Sequence, residues 1–133
     1  MEIDNPEILA EIEAVFAAYE AALLANDNET LDGFFLASPL VVRYGVADIQ
    51  YGIAAVRAFR ATQSPFARVL AQTAITTYGR DFATASTLFV RPDFPGEIGR
   101  QSQSWVRMDG RWVIVAAHVS MMPGTIGEGN GPA

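Results

Sequence analysis

The chain has 133 residues, half of them apolar and 18% charged, with a formal charge of −6 and no cysteine. That length fits one domain with a core of its own, and the composition excludes a disordered chain and a coiled coil. Missing thiols exclude disulfides and a cysteine nucleophile, and the negative charge argues against nucleic acid as a partner.

Asn5-Pro6 opens the first predicted element as N-cap and first helical residue, with Glu7 where the helix dipole favours an acid. Ile8, Ile12, Val15, Phe16, Tyr19 and Leu23 recur at helical spacing, so a helix is predicted from Pro6 to Ala25, its other face carrying Glu11, Glu13 and Glu20. Asn26-Asp27-Asn28 breaks it, and Thr30–Phe35 reads as a short second helix stopped before Ser38-Pro39. Two brief strands follow, Leu40–Tyr44 and Ile49–Tyr51, with Gly45 in the loop between them. Gly52 starts a third helix, with Ile53, Val56 and Phe59-Arg60 spaced for one buried face, ending near Gln63-Ser64-Pro65. The remainder is strand. Arg68–Tyr78 and Phe82–Arg91 flank Gly79-Arg80, and Ile98–Met108 and Arg111–Met121 flank Asp109-Gly110, a strong two-residue hairpin signal. A domain over 1–122 is expected, followed by a Gly/Pro-rich tail over 123–133 that should be poorly ordered.

Strands come in blocks, not in alternation with helices, which makes the chain α+β. The expected architecture is a curved antiparallel sheet wrapped as a cone around the long first helix, with two shorter helices and a ligand pocket at the mouth. No apolar run exceeds six residues, Trp112–Ala117, far short of the ~18 a membrane span needs. With no basic n-region leading an apolar stretch either, a cytoplasmic protein that engages no membrane is expected.

Charge is segregated along the chain. Residues 1–32 hold nine acids and no base, whereas residues 33–133 hold six acids and nine arginines; lysine is absent. Lysine Schiff-base chemistry is thereby excluded. The simplest arrangement is an acidic, solvated helix lying on a sheet edged with arginine. A sharper one directs an arginine at a small anionic substrate, because the planar guanidinium grips carboxylates at two points.

Three residues stand out. Arg43 shares one face of a short strand with Val41 while Leu40, Val42 and Tyr44 take the other, an apolar setting for a guanidinium. It either pairs with Asp48 at an edge or awaits an anion, since desolvating an unpaired cation costs several kcal/mol, roughly. Tyr19 lies on the apolar stripe of the first helix, where its ring is core or its hydroxyl points into the cone. His118 is the only histidine. It is either an acid–base group of the pocket or a core residue satisfied by a polar neighbour. With Asp109-Gly110 as the loop, Met108 opposes Arg111 and, in step, Gln101 opposes His118. That register puts Gln101, Gln103, Trp105, His118 and Ser120 on the cone-filling face. Arg100, Ser102, Ser104, Val115, Ala117 and Val119 then form a small, flat face suited to a partner subunit. One histidine and no cysteine make a transition-metal site improbable, and no cofactor is expected.

Tyr19, Val41-Val42-Arg43-Tyr44-Gly45, Gly99-Arg100-Gln101-Ser102-Gln103-Ser104-Trp105-Val106 and the ending Gly110–Ser120 together resemble the AtzH-like family of the nuclear-transport-factor-2-like superfamily. The resemblance covers Pro6 to Met122. It implies a cone-shaped α+β fold, a homodimer formed through the sheet, and a decarboxylating amidohydrolase that converts 1,3-dicarboxyurea to allophanate. It also implies that Tyr19 and Arg43 are needed for activity, while His118, Gln101 and Ser120 are the pocket residues the hairpin register points to. Because the superfamily hosts varied functions, a non-catalytic small-acid-binding or association module, or a lyase or isomerase, remains an alternative.

Overall fold

Helix α1 (Pro6–Leu24) begins at Asn5, whose side chain accepts hydrogen bonds from the Glu7 and Ile8 backbone N–H groups at 3.0 and 3.2 Å. It ends where Asn26 turns left-handed at φ 54°. Its buried stripe of Ile8, Ile12, Phe16, Tyr19 and Leu23 is the one the helical spacing predicts. Helix α2 (Asn28–Asp32) starts earlier and is shorter than the sequence suggests, because Asp27 caps it by accepting from Thr30 N–H. Strands β1 (Val42–Tyr44) and β2 (Ile49–Tyr51) form a hairpin, and α3 (Ile53–Ala61) follows Gly52 at φ 88°. The long strands are β3 (Val69–Tyr78), β4 (Phe82–Val90), β5 (Glu97–Met108) and β6 (Arg111–Pro123).

This computed structural model describes residues 1–126. The six strands form one curved sheet in the order β2-β1-β6-β5-β4-β3, packed around α1. Strands run antiparallel except where β1 pairs parallel with β6, so the sheet is mixed. The core joins the α1 stripe to Leu31, Phe35, Val41, Val56, Ala83, Ala85, Trp105, Trp112 and Ile114. Strand β6 runs one residue past the expected domain end, to Pro123, and Gly124 N–H then donates to the Gly96 carbonyl. The expected looseness of the tail from residue 127 onward lies outside the described residues. Among the described residues, no helix is long and apolar enough to cross a membrane.

The final hairpin departs from the predicted register, and the departure matters for the site. Met108 opposes Arg111 and Trp105 opposes Ile114 as expected, but Ser104 then pairs with Ala116. The extra residue, Val115, is a β-bulge, and it turns the rest of β6 over. It falls where β6 changes neighbours. Ile114 exchanges hydrogen bonds with the Phe34 carbonyl and the Leu36 N–H, whereas Ala116, Ala117 and His118 pair with β1. Gln101 therefore opposes Val119, and Ser102 opposes His118. Ala117 is buried, while Ala116 and His118 are exposed on the outer face.

Candidate active site

Arg43 is the middle residue of β1 and shares its inward side with Val41, which stands just ahead of the strand and is fully buried, so alternation turns the guanidinium into the protein at 8% exposure. Its Nη1 donates to Asp48 Oδ1 at 2.7 Å and to Gln50 Oε1 at 2.9 Å. Gln50 Nε2 also donates to Asp48 Oδ1 at 2.8 Å, closing the triangle. Arg43 is thus paired with Asp48, yet buried and not held at the surface. Its Cζ lies 4.4 Å from the centroid of the Phe59 ring.

Tyr19 is buried to 4% exposure, its ring held edge-on by Phe34, Phe35 and Trp105 at 5.9, 6.4 and 6.1 Å. Its hydroxyl takes no hydrogen-bond partner among the described residues. Tyr19, Arg43 and Gln101 line one cavity of about 150 Å³, on the scale of a space that holds a benzene-sized molecule. Gln101 is buried at 3% exposure and its Nε2 has no partner, leaving a donor free on the cavity wall.

His118 and Ser120 are not brought to this cavity. The β-bulge at Val115 places Val119 and Met121 there instead. His118 packs edge-on against Tyr44 at 5.7 Å on the outer face, and Tyr44 shares a 2.7 Å hydroxyl–hydroxyl hydrogen bond with Tyr51. Ser120 accepts a hydrogen bond from Arg100 Nε at 3.1 Å. The expectation that His118 and Ser120 face the pocket is corrected by this one inserted residue.

Three further arginines belong to the site. Arg60, Arg68 and Arg91 line the same cavity, with Phe59, Phe66 and Phe89 between them. Arg68 forms a two-point pair with Glu20, at 3.0 and 2.6 Å, and stacks on Phe89 at 4.7 Å. Glu20 is therefore a half-buried partner and not part of a solvated helix face; Glu11 likewise accepts from Trp112 Nε1 and Arg107. Arg91 pairs with Asp93 at 2.6 Å and stacks on Phe66 at 4.1 Å. Arg60 is 5% exposed, forms no ion pair among the described residues, and its Nε has no acceptor. Burial pulls this guanidinium below its ordinary range; Tyr19 and Asp32 oppose the shift, and the like charges of Arg43 and Arg68 add to it. A signal for Arg60 did exist: it stands four residues after Val56 and seven after Ile53, a position the helical period reserves for an apolar side chain.

Four arginines against three paired acids leave the cavity with a surplus positive charge, a phenol donor and an amide donor on walls that are otherwise mostly apolar, aromatic and aliphatic. Such a site suits a small planar anion. Among the described residues, no group of three or more His, Asp or Glu side chains gathers as a metal site.

A crystal structure of a DUF3225-family protein from Pectobacterium atrosepticum is 46% identical, aligned over 90% of this chain and 94% of that one, with a TM-score of 0.87. A cystatin-like-fold protein from Burkholderia xenovorans is 44% identical over 92% and 98%, at a TM-score of 0.89. An NTF2-like protein from Pseudomonas putida, 17% identical over 91% and 89% with a TM-score of 0.71, shares the fold. No curated protein matches the chain. The family model described as AtzH-like matches residues 1–125, which takes in every element from α1 to β6, and the chain accordingly belongs to the AtzH-like family.

Proposed function

We propose that this protein is a decarboxylating amidohydrolase that converts 1,3-dicarboxyurea, or a similar N-carboxylated amide, to allophanate. The observation that carries the reading is that the Tyr19 phenol and the Arg43 guanidinium line one small cavity that carries surplus positive charge. Family membership supports the same substrate class.

The chemistry follows from the walls. Asp48 and Gln50 hold one terminal nitrogen of Arg43, which fixes the plane of the fork and leaves its remaining N–H groups to grip the carboxylate that is retained. The carboxylate that leaves faces Phe59, Phe66 and Phe89 and loses its charge as CO2 forms, a change an apolar wall favours. The bond from nitrogen to the departing carboxyl carbon breaks, and its electron pair stays on nitrogen. That nitrogen takes a proton, handed on from solvent by the Tyr19 hydroxyl, so the dianion and one proton give the allophanate monoanion and CO2. Hydration of CO2 completes a net hydrolysis of the C–N bond. The Tyr19 hydroxyl serves here as a proton donor and not as a base. Catalysis of this kind is positioning plus charge stabilisation.

The test is turnover of freshly prepared 1,3-dicarboxyurea, followed by allophanate formation. Tyr19→Phe is expected to lower kcat by about 100-fold or more, as loss of a proton-transfer group does. Arg43→Met is expected to lower kcat/KM by a similar factor through loss of a charged anchor. Both variants should keep the parental circular dichroism spectrum. Saturable binding of the substrate without product would replace this reading with that of a small-acid-binding module.

A further inference from the structure

Arg60 differs from the other three cavity arginines in one respect: each of those has a carboxylate within 2.7 Å, and Arg60 has none among the described residues. It projects from the buried face of α3 into the cavity, 5.6 Å from the same Phe59 ring that Arg43 faces from 4.4 Å. Two guanidiniums thus share one ring, with only one acid, Asp48, paired between them. At 5% exposure, an unpaired cation is a net cost to folding. A fold that only needed to fill this space would be better served by an apolar side chain of the same length.

We propose that Arg60 is the principal anion anchor of the cavity, binding the retained carboxylate of the ligand together with Arg43. The proposal deepens the reading above and rests on the same cavity being the ligand site. In it, Arg43 is a partly satisfied group whose orientation Asp48 and Gln50 set, while Arg60 supplies the unneutralised charge. The site then selects a small carboxylate over its amide, because the amide leaves the Arg60 fork desolvated and unanswered. It also gives Arg60 a signature opposite to that of a structural arginine: removing it stabilises the free protein and destroys its ligand response.

The experiment uses the full chain and glutarate, a chemically stable dicarboxylate with the same chain length as 1,3-dicarboxyurea, with glutaramide as the uncharged counterpart. Calorimetric titration of the parent is expected to show saturable glutarate binding and none with glutaramide. Arg60→Met is expected to weaken glutarate by about 30-fold or more, the loss typical of removing one partner of a buried charge pair. Its Tm without ligand should rise above the parent's, and glutarate should no longer raise it. Arg60→Lys, which keeps the charge without the fork, should retain part of the affinity. A parent that ignores glutarate, or an Arg60→Met variant that melts lower and binds glutarate as the parent does, overturns the proposal. The two readings fail separately. Arg60-dependent glutarate binding with no consumption of 1,3-dicarboxyurea removes the proposed activity alone, whereas unaltered turnover in Arg60→Met removes the Arg60 anchor alone.

Discussion

Gly45 stands where the β1–β2 turn folds Asp48 back beneath Arg43, and a methyl group on its Cα would overlap the Asp48 carboxylate. The glycine is needed for close approach, since its φ is not in the left-handed region. Gly45→Ala is expected to push Asp48 off Arg43 and release the plane of the fork. Turnover should drop about 10-fold with little change in Tm, measured by allophanate formation beside a thermal melt. Asp32, at the end of α2, makes a prediction of the opposite kind. Burial raises its carboxyl above the ordinary 3.8, against the pull of Arg60 and Arg57. The folded chain therefore holds that proton more tightly than the unfolded one. The stability this provides is full below 3.8 and is lost as pH rises through the folded value. Asp32→Asn should accordingly unfold at higher urea than the parent at pH 7, and the gap should close as pH falls toward 3.8. Converging midpoints on acidification are the result that checks it.

Among the elements, α1 follows most directly from its sequence. Its cap, its stripe and its stop are local features, and local features do not depend on the rest of the fold. Asn5→Ala is expected to cost about 1 kcal/mol in urea unfolding, through two lost cap hydrogen bonds. Strand β6 is the contrary case. The Asp109-Gly110 turn fixes its first pairs, but the bulge at Val115 arises where β6 leaves the Phe34–Leu36 segment for β1, a junction between residues far apart in the chain. No alternation within β6 announces it. For that reason a helical stripe and a strand ahead of the bulge turn Tyr19 and Arg43 toward the cavity, whereas plain alternation along β6 puts His118 and Ser120 on the wrong face. Arg60 was legible as a buried position but not as a cation without a partner, because pairing is decided by tertiary contacts. Deleting Val115 should turn Ala116 to Met122 over, exposing Val119 and Met121 and burying His118. Dye binding to exposed apolar surface and a cooperative transition lost on heating would report it.

For the molecule as a whole, segregated charge resolves into cross-links. The acidic α1 faces the sheet with Glu11 and Glu20, which meet Arg107 and Arg68 from strand and strand edge. Helix and sheet are thereby tied at two points, while the exposed acids keep the surface negative. On the far side of the sheet, Ser86, Ser102 and Ala116 present small, exposed side chains beside the stacked rings of His118 and Tyr44. A second copy of the chain seated there is the expected partner, and light scattering should report a dimer. Ser102→Arg, in the middle of that face, should shift it to monomer at low micromolar concentration with the fold unchanged.

Phe59 and Arg60 are consecutive residues of one nine-residue helix that sits between β2 and β3, and the sheet draws none of its pairing from it. The surplus charge of the chamber is thus written on a segment that takes no part in the sheet's pairing. Rewriting that one segment, with the curved sheet, α1 and its phenol left alone, is a route by which the same scaffold changes from receiving acids to receiving neutral guests. Diversification of such proteins need touch no more than two turns of backbone.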